Sequence, residues 1–195
     1  MKIPRKVILH HLGRLGYMES LAKQQSAEKT LKEITQDKED NPPYHGSLFL
    51  VEHNPIYTTG ARENGYDEKS NRGENTIIKL CELYGLKAYT CEHTGVWVND
   101  RKICALGVRC NKFVTTHGLA LNCNTDLNWF SHIVPCGIEG KTATSLSKEL
   151  GRDVTIEEVT PAFLKCFGEV FDIFSQHAKH LILESKFLLT GADAS

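Results

Sequence analysis

The 195-residue sequence predicts an α/β (α+β) domain in which a mainly antiparallel central sheet is flanked by helices. Short apolar runs at 95–98, 103–108 and 118–121 are separated by Asn, Asp and Gly residues, as in successive antiparallel strands. Apolar residues recur at helical spacing in 76–84 and 156–174. With 41% hydrophobic and 24% charged residues, the composition is typical of a globular protein.

The N-terminal part of the chain combines strands, one helix and polar loops. Apolar runs predict strands at 7–12 and 47–51, and a third short strand at 56–60 that ends at a glycine. Leucine and isoleucine spaced among polar residues predict a surface helix at 17–35. The two polar stretches predicted as loops are 37–46 and 61–75.

The C-terminal part is predicted to be mainly helical. A short amphipathic segment at 126–133 precedes a short helix at 142–150, which ends before Gly151. We find neither an internal repeat nor a linker between domains. Residues 1–174 are therefore expected to form one domain, followed by a tail at 175–195.

Charge and cysteine content argue against several classes of function. A net charge of −1 gives no basic footprint for nucleic acid or a membrane surface, and no apolar run approaches the ~20 residues that span a bilayer. The seven cysteines include no CxxC pair, which favours a reducing compartment. Cys91 and His93 lack the companion pair of a structural zinc site, so we predict no metal. Four basic residues and no acid in residues 1–18 leave organelle targeting undecided.

The candidate reactive site lies in 93–140. Cys136 stands between Pro135, which restricts the backbone, and Gly137, which allows close approach. A nearby ammonium favours a thiolate, and an antiparallel return would bring Lys102 alongside. A cysteine in such a turn is more commonly a buried side chain without a catalytic role. Lys102, considered alone, is likewise an ordinary lysine in a turn.

Three further residues of this stretch are candidates for contact with a substrate. His117 has two possible roles. One is to polarise a substrate carbonyl, and the other, which is commoner for a lone histidine, is to form a hydrogen bond across the sheet. Gly107 and Gly118 are positions where backbone N–H groups can face a developing oxyanion. Each glycine alone is a weak signal.

Several motifs together resemble one family, the octanoyltransferases of lipoate biosynthesis, which have the biotin/lipoate protein-ligase fold. The motifs are LVEHNPIYTTG (50–60), HTGVWVNDRKICALGV (93–108), THGLALNCNTDLNWFSHIVPCGI (116–138) and TSL (144–146). The resemblance implies that Cys136 is the acyl-thioester nucleophile and that Lys102 tunes it. The implied substrate-binding residues are Arg72, Gly73, Ala105, Leu106, Gly107, His117, Gly118, Leu119 and Ala120.

The resemblance also implies the reaction and its partners. An octanoyl group passes from octanoyl-acyl carrier protein to a lysine of a lipoyl-domain protein, such as the glycine-cleavage H protein. Thioester exchange followed by amide formation needs no ATP, so no cofactor is expected. The motif sequences are similar to those of the animal members of this family, which implies a mitochondrial protein. We also expect a monomer.

One departure from the family pattern follows Gly73. The family reads R-G-G-x-x-T-x-H-G-P-G-Q at this place, with a strand and a helix start behind it. Here only Arg72 and Gly73 of that block are present, and 74–78 follows directly. The block would supply one wall of the acyl pocket. The alternative is therefore a catalytically inactive variant that binds acyl carrier protein or lipoyl domains.

Overall fold

The computed structural model describes residues 6–36, 44–57, 71–111, 114–132, 141–173, 183–184 and 187–189. The chain divides into two compact units. The first unit draws on Met1–Asn54, Val108–Thr116 and Asp172–Thr190, and the second on Pro55–Gly107, His117–Phe171 and Gly191–Ser195. The single domain at 1–174 and the tail at 175–195 stay predictions.

The first unit contains a four-stranded sheet in which every pairing is parallel. Its strands, in spatial order, are β8 (Leu183–Glu184), β1 (Val7–Leu15), β2 (Gly46–His53) and β9 (Phe187–Leu189). Helix α1 (Tyr17–Gln36) connects β1 to the segment before β2. The predicted strands at 7–12 and 47–51 and the helix at 17–35 are confirmed. The parallel pairing was not predicted, because neither run shows which strand it will join.

The second sheet has five strands and contains the motif-bearing stretch. Its order is β3 (Ala88–Tyr89), β4 (Val96–Val98), β5 (Arg101–Asn111) and β6 (Val114–Leu121), and β7 (Thr142–Ala143) pairs with β5. The β3–β4 and β4–β5 pairs are antiparallel, as predicted, whereas β7 joins in parallel.

Two amphipathic helices contribute to the apolar core of the second unit. Helix α2 (Arg72–Leu83) packs on α4 (Ile156–Phe171). Ile77, Leu80 and Phe163 are buried, and Lys79 forms an ion pair with Glu169 across the pair of helices. The shorter elements are the 3-10 helix Leu127–His132 and α3 (Leu146–Leu150). In the described parts of the chain, no helix has the length and apolarity needed to cross a membrane.

Three predicted boundaries were wrong. Ile56 and Tyr57 are irregular rather than strand, and they follow Pro55, which has no N–H to donate to a ladder; residues 58–60 lie outside the described ranges. Helix α2 begins at Arg72 rather than at 76, with Glu74 in its first turn, where a carboxylate favours the helix dipole. The predicted helix at 142–150 begins only at Leu146.

The late start of α3 has a local cause. Ser145 is extended and caps the helix, because its hydroxyl accepts a hydrogen bond from the backbone N–H of Lys148 at 3.2 Å. Gly151 ends the helix with φ of 65°, as predicted. Residues 37–43 and 61–70, which make up most of the two predicted loops, lie outside the described residues.

Candidate functional site

Lys102 lies at the beginning of β5, directly after the tight turn from β4. Asn99 and Asp100 form this turn with φ of 49° and 61°, the left-handed conformation that two-residue hairpins require and that Asn and Asp tolerate well. Lys102 pairs with Trp97 on one side and with Ala143 on the other. The lysine backbone is therefore fixed by two neighbouring strands.

Lys102 is only 9% exposed, which is unusual for lysine. Its Nζ lies 5.1 Å from the centroid of the Trp97 ring, within range of a cation–π attraction. Gly95, with φ of 127°, leaves room for the lysine. A Cβ there would lie 3.1 Å from Lys102 Cε and 2.8 Å from the carbonyl oxygen of Cys104. Gly95 and Trp97 therefore define the path of the lysine side chain.

Trp97 is itself held in place. It is 2% exposed, and its indole N–H donates to the carbonyl oxygen of His93 at 3.1 Å. Lys141 Nζ lies 5.8 Å from the same ring centroid and 3.4 Å from the Asp100 carboxylate. Two ammonium groups thus approach one indole ring.

A set of hydrogen bonds ties the TSL segment to the strand end that carries Lys102. The backbone N–H of Thr144 donates to the Lys102 carbonyl at 2.9 Å. The buried Asn122 side-chain amide donates to the Thr144 carbonyl, also at 2.9 Å. The backbone of Asn122 donates to Ile103 and accepts from Leu146. Asn122 therefore joins β5 to the start of α3.

Glu149 connects α3 to the hairpin turn. Its side chain is 3% exposed and accepts hydrogen bonds from Arg101 Nη2 at 2.8 Å, from Asn99 Nδ2 at 2.9 Å and from the Thr144 hydroxyl. Burial acts to raise the pKa of Glu149, but the hydrogen bonds from these three residues outweigh it and hold that pKa below its usual value. The carboxylate therefore fixes the turn that precedes Lys102.

The structure brings three of the predicted acyl-contact residues together. A Cβ at Gly73 would lie 2.9 Å from Leu106 Cδ2 and 3.2 Å from Leu119 Cδ2. The beginning of α2 therefore packs closely on β5 and β6. Next to Gly73, the guanidinium carbon of Arg72 lies 5.7 Å from the ring centroid of Phe171.

The other predicted contacts lie on the same two strands. The space beside Gly107 and Gly118 is open, since a Cβ at either would meet nothing within 4 Å. Ala120 is buried, Ala105 is half-buried, and His117 belongs to β6. Cys136 lies outside the described residues, so its distance from Lys102 and its role stay predictions, as does the role of His117.

The sequence analysis did not single out Gly95, Trp97, Asn122 or Glu149. A glycine directly before an aromatic strand is a signal of close backbone approach that would have identified Gly95. Asn122 and Glu149 give no local signal, because the residues they bind are distant along the chain: Thr144 is 22 residues from Asn122, and Asn99 is 50 from Glu149.

Comparison with known proteins agrees with these motifs. Residues 68–168 match the family described as lipoyl protein ligase A/B catalytic domain. The mitochondrial octanoyl-acyl-carrier-protein:protein N-octanoyltransferase of Danio rerio is 38% identical over 209 residues, with 83% of this chain and 91% of that protein covered. The Homo sapiens protein of that name is 59% identical over 101 residues, covering 50% of this chain and 44% of that protein.

The zebrafish alignment extends over 209 residues while using 83% of a chain of 195, so several dozen of its positions have no counterpart in this chain. The fold is similar to that of P. falciparum LipL1 in complex with lipoate. The TM-score is 0.63 at 15% identity, over 85% of this chain and 62% of that chain. This confirms the predicted ligase-like fold.

The family match covers about half of the chain, and the 38% identical zebrafish relative is covered almost completely. The chain therefore belongs to the lipoyl protein ligase A/B catalytic family and is an acyltransferase of its mitochondrial octanoyltransferase type.

Proposed function

We propose that the chain transfers an octanoyl group from octanoyl-acyl carrier protein to a lysine of a lipoyl-domain protein, through a thioester on Cys136. The zebrafish and human relatives are named for octanoyl-acyl carrier protein as donor and protein as acceptor. The observation that carries the proposal is the buried Lys102 ammonium at the start of β5. The same strand continues to Gly107, beside which the space is open.

In the first half-reaction the Cys136 thiolate attacks the carbonyl carbon of the octanoyl thioester. A carbon–sulfur bond to the enzyme forms as the bond to the carrier breaks, and the carrier sulfur leaves as a thiolate that takes a proton from the Lys102 ammonium, which becomes neutral. Lys102 favours the ionised thiol by Coulomb attraction, and the thiolate is the nucleophilic form. One thioester replaces another, so the step is nearly isoenergetic.

In the second half-reaction the acceptor lysine attacks the enzyme thioester. An amide forms, Cys136 leaves as a thiolate, and Lys102 carries the proton that the attacking amine gives up. The conversion of a thioester to an amide is downhill, so the transfer needs no nucleotide. The glycine-cleavage H protein is an acceptor of this class, and we propose that the chain acts as a monomer.

Burial makes other cysteines of the second unit poor nucleophiles. It raises the pKa of Cys81 and of Cys123 to about 12, and it raises the pKa of Cys104 well above its usual value. Burial also raises the pKa of Cys166. A thiol with a raised pKa holds little thiolate near neutral pH. This supports a nucleophile elsewhere in the chain and is compatible with Cys136.

Mass spectrometry after incubation with octanoyl-acyl carrier protein tests the proposal. We expect one octanoyl group on the peptide that contains Cys136, and none on Cys136→Ala. The matched control is Cys91→Ala, which removes an exposed cysteine outside the quoted motifs and should acylate like the parent chain. An adduct that persists in Cys136→Ala would contradict the proposed nucleophile.

One observation favours the alternative, an inactive variant that binds acyl carrier protein or lipoyl domains. The start of α2 packs on Leu106 and Leu119, the two leucines predicted to contact the acyl chain. The segment that would form the pocket wall there has no counterpart in this chain. Saturable binding of octanoyl-acyl carrier protein without an adduct on Cys136 would establish this alternative.

A further inference from the structure

We infer that Trp97, together with Gly95, is a positioning residue that sets the reach of the Lys102 ammonium. The inference deepens the proposed function and rests on it. Trp97 and Lys102 are paired residues in antiparallel strands, so their side chains stand on the same face of the sheet. Gly95 stands directly before β4 and borders the same lysine, because a Cβ built on it would lie 3.1 Å from Lys102 Cε.

The contacts show how the lysine is directed. Lysine has four rotatable side-chain bonds, and an unrestrained ammonium samples many positions. Here the methylene groups pass over the α-carbon of Gly95, where a Cβ would lie 3.1 Å from Cε and 3.3 Å from Cδ. The ammonium then lies 5.1 Å from the centroid of the Trp97 ring. The glycine provides the path and the indole fixes its end.

Two features distinguish this arrangement from ordinary packing of a core tryptophan. The indole N–H donates to the His93 carbonyl at 3.1 Å, which fixes the plane of the ring. A second ammonium, from Lys141, lies 5.8 Å from the same centroid, so the ring face attracts cations rather than aliphatic groups alone. The ring therefore holds the Lys102 ammonium, and under the proposed function its effect on the Cys136 thiol passes through that ammonium.

A double-mutant cycle tests this dependence. The rate of alkylation of Cys136 by iodoacetamide is measured by peptide mass spectrometry, which needs no acyl transfer. The four chains are the parent, Trp97→Leu, Lys102→Met and the double variant. We expect Trp97→Leu to slow alkylation by roughly three- to tenfold relative to the parent chain. When Lys102→Met is already present, adding Trp97→Leu should slow alkylation no further. Alkylation of glutathione added to the same samples is the internal reference.

Two controls keep the test independent of folding. Phe163→Leu removes a buried aromatic side chain of α4, far from Lys102 in sequence, and should leave the Cys136 rate unchanged. Trp97→Phe retains an aromatic core residue with a weaker ring face, so we expect a rate between those of the parent and Trp97→Leu. It replaces Trp97→Leu in the cycle if that variant does not melt cooperatively.

The inference would be overturned if Trp97→Leu slowed alkylation of Cys136 equally in the parent chain and in Lys102→Met. It would also be overturned if Trp97→Leu did not slow alkylation in the parent chain. The octanoyl-adduct experiment reads the proposed function separately. If octanoyl is found on Cys136 but the effects of Trp97→Leu and Lys102→Met on alkylation are additive, only the role of Trp97 is rejected. If the two substitutions are coupled but no octanoyl adduct forms, acyl transfer is rejected and the positioning of Lys102 by Trp97 stands.

Discussion

The β4–β5 hairpin and the beginning of α2 carry two parts of the predicted site, and they are held in different ways. In the hairpin, Lys102 is fixed by two neighbouring strands, by the Trp97 ring and by the Glu149 cluster at the turn. At the beginning of α2, Arg72 and Gly73 are held by contacts with Phe171 and two leucines.

This difference separates two functions of the site. In the proposed mechanism the hairpin supports the group that acts on the thiol, and the motif of the hairpin is uninterrupted in the sequence. The beginning of α2 stands where the family motif breaks off, and it packs on residues predicted to contact the acyl chain. We propose that lysine chemistry and acyl positioning are separable properties of this chain.

The largest expected effect comes from restoring the absent block. Insertion after Gly73 of the corresponding segment of the zebrafish relative should raise octanoyl transfer by roughly 100-fold, because orientation of bound reactants contributes strongly to rate. Turnover with octanoyl-acyl carrier protein and a lipoyl domain measures the effect. The alkylation rate of Cys136 should stay the same, because the hairpin is unchanged.

A Gly/Ser segment of the same length is the control for this insertion. It lengthens the chain without providing a pocket wall, so it should give no gain in turnover. A gain with both inserts, or with neither, would contradict the separation of the two functions.

The next largest effect is on stability at the hairpin. Glu149→Ala should lower the free energy of unfolding by about 2–3 kcal/mol, because Arg101 and Asn99 lose their buried acceptor. Urea unfolding measures it. Glu158→Ala, which removes an exposed partner of Arg152, should cause no measurable change. Equal effects in the two variants would show that the Glu149 cluster does not hold the hairpin.

The Glu149 cluster also predicts a pH dependence. The folded chain holds the Glu149 pKa below its ordinary value of 4.5, which the unfolded chain regains. Its contribution is therefore complete above 4.5 and is lost as the pH falls through the lowered pKa. Glu149→Gln should reduce the acid slope of the unfolding free energy. Glu158 and Glu169, whose pKa values are lowered by hydrogen bonds from Arg152 and Lys79, should contribute little to this slope, because solvent screens exposed ion pairs.

The smallest effect concerns the packing at α2. Gly73→Ala should destabilise the chain by about 1 kcal/mol, since overpacking against Leu106 outweighs the better helix propensity of alanine. Gly107→Ala, where the space is open, is the control and should cost less. A more stable Gly73→Ala variant would mean that Leu106 moves away freely, so that the region can admit an acyl chain.

Local patterns predicted the elements that are set by local chemistry. The Asn99–Asp100 turn, the stop at Gly151 and the apolar face of α4 each depend on residues adjacent in sequence. The parallel pairing of β1 with β2 depends instead on which strand lies alongside, and a pattern within one strand does not encode its neighbour.

The same distinction applies to the site. Lys102 and the acyl-contact residues were found through contiguous motifs and the family they resemble. Asn122 and Glu149 were missed because they act through partners brought close only by folding. The sequence pattern predicted the beginning of α2 too far along the chain, because Gly73 and Asn75 weaken the helical pattern. In the structure, packing on Leu106 and Leu119 supports the first turn.

The location of the octanoyl group after incubation with octanoyl-acyl carrier protein tests the central claim most directly. Our account predicts a thioester on the Cys136 peptide that disappears as the group appears as an amide on the lipoyl-domain lysine. An octanoyl amide that forms at an undiminished rate in Cys136→Ala, or a thioester found on another cysteine, would contradict it.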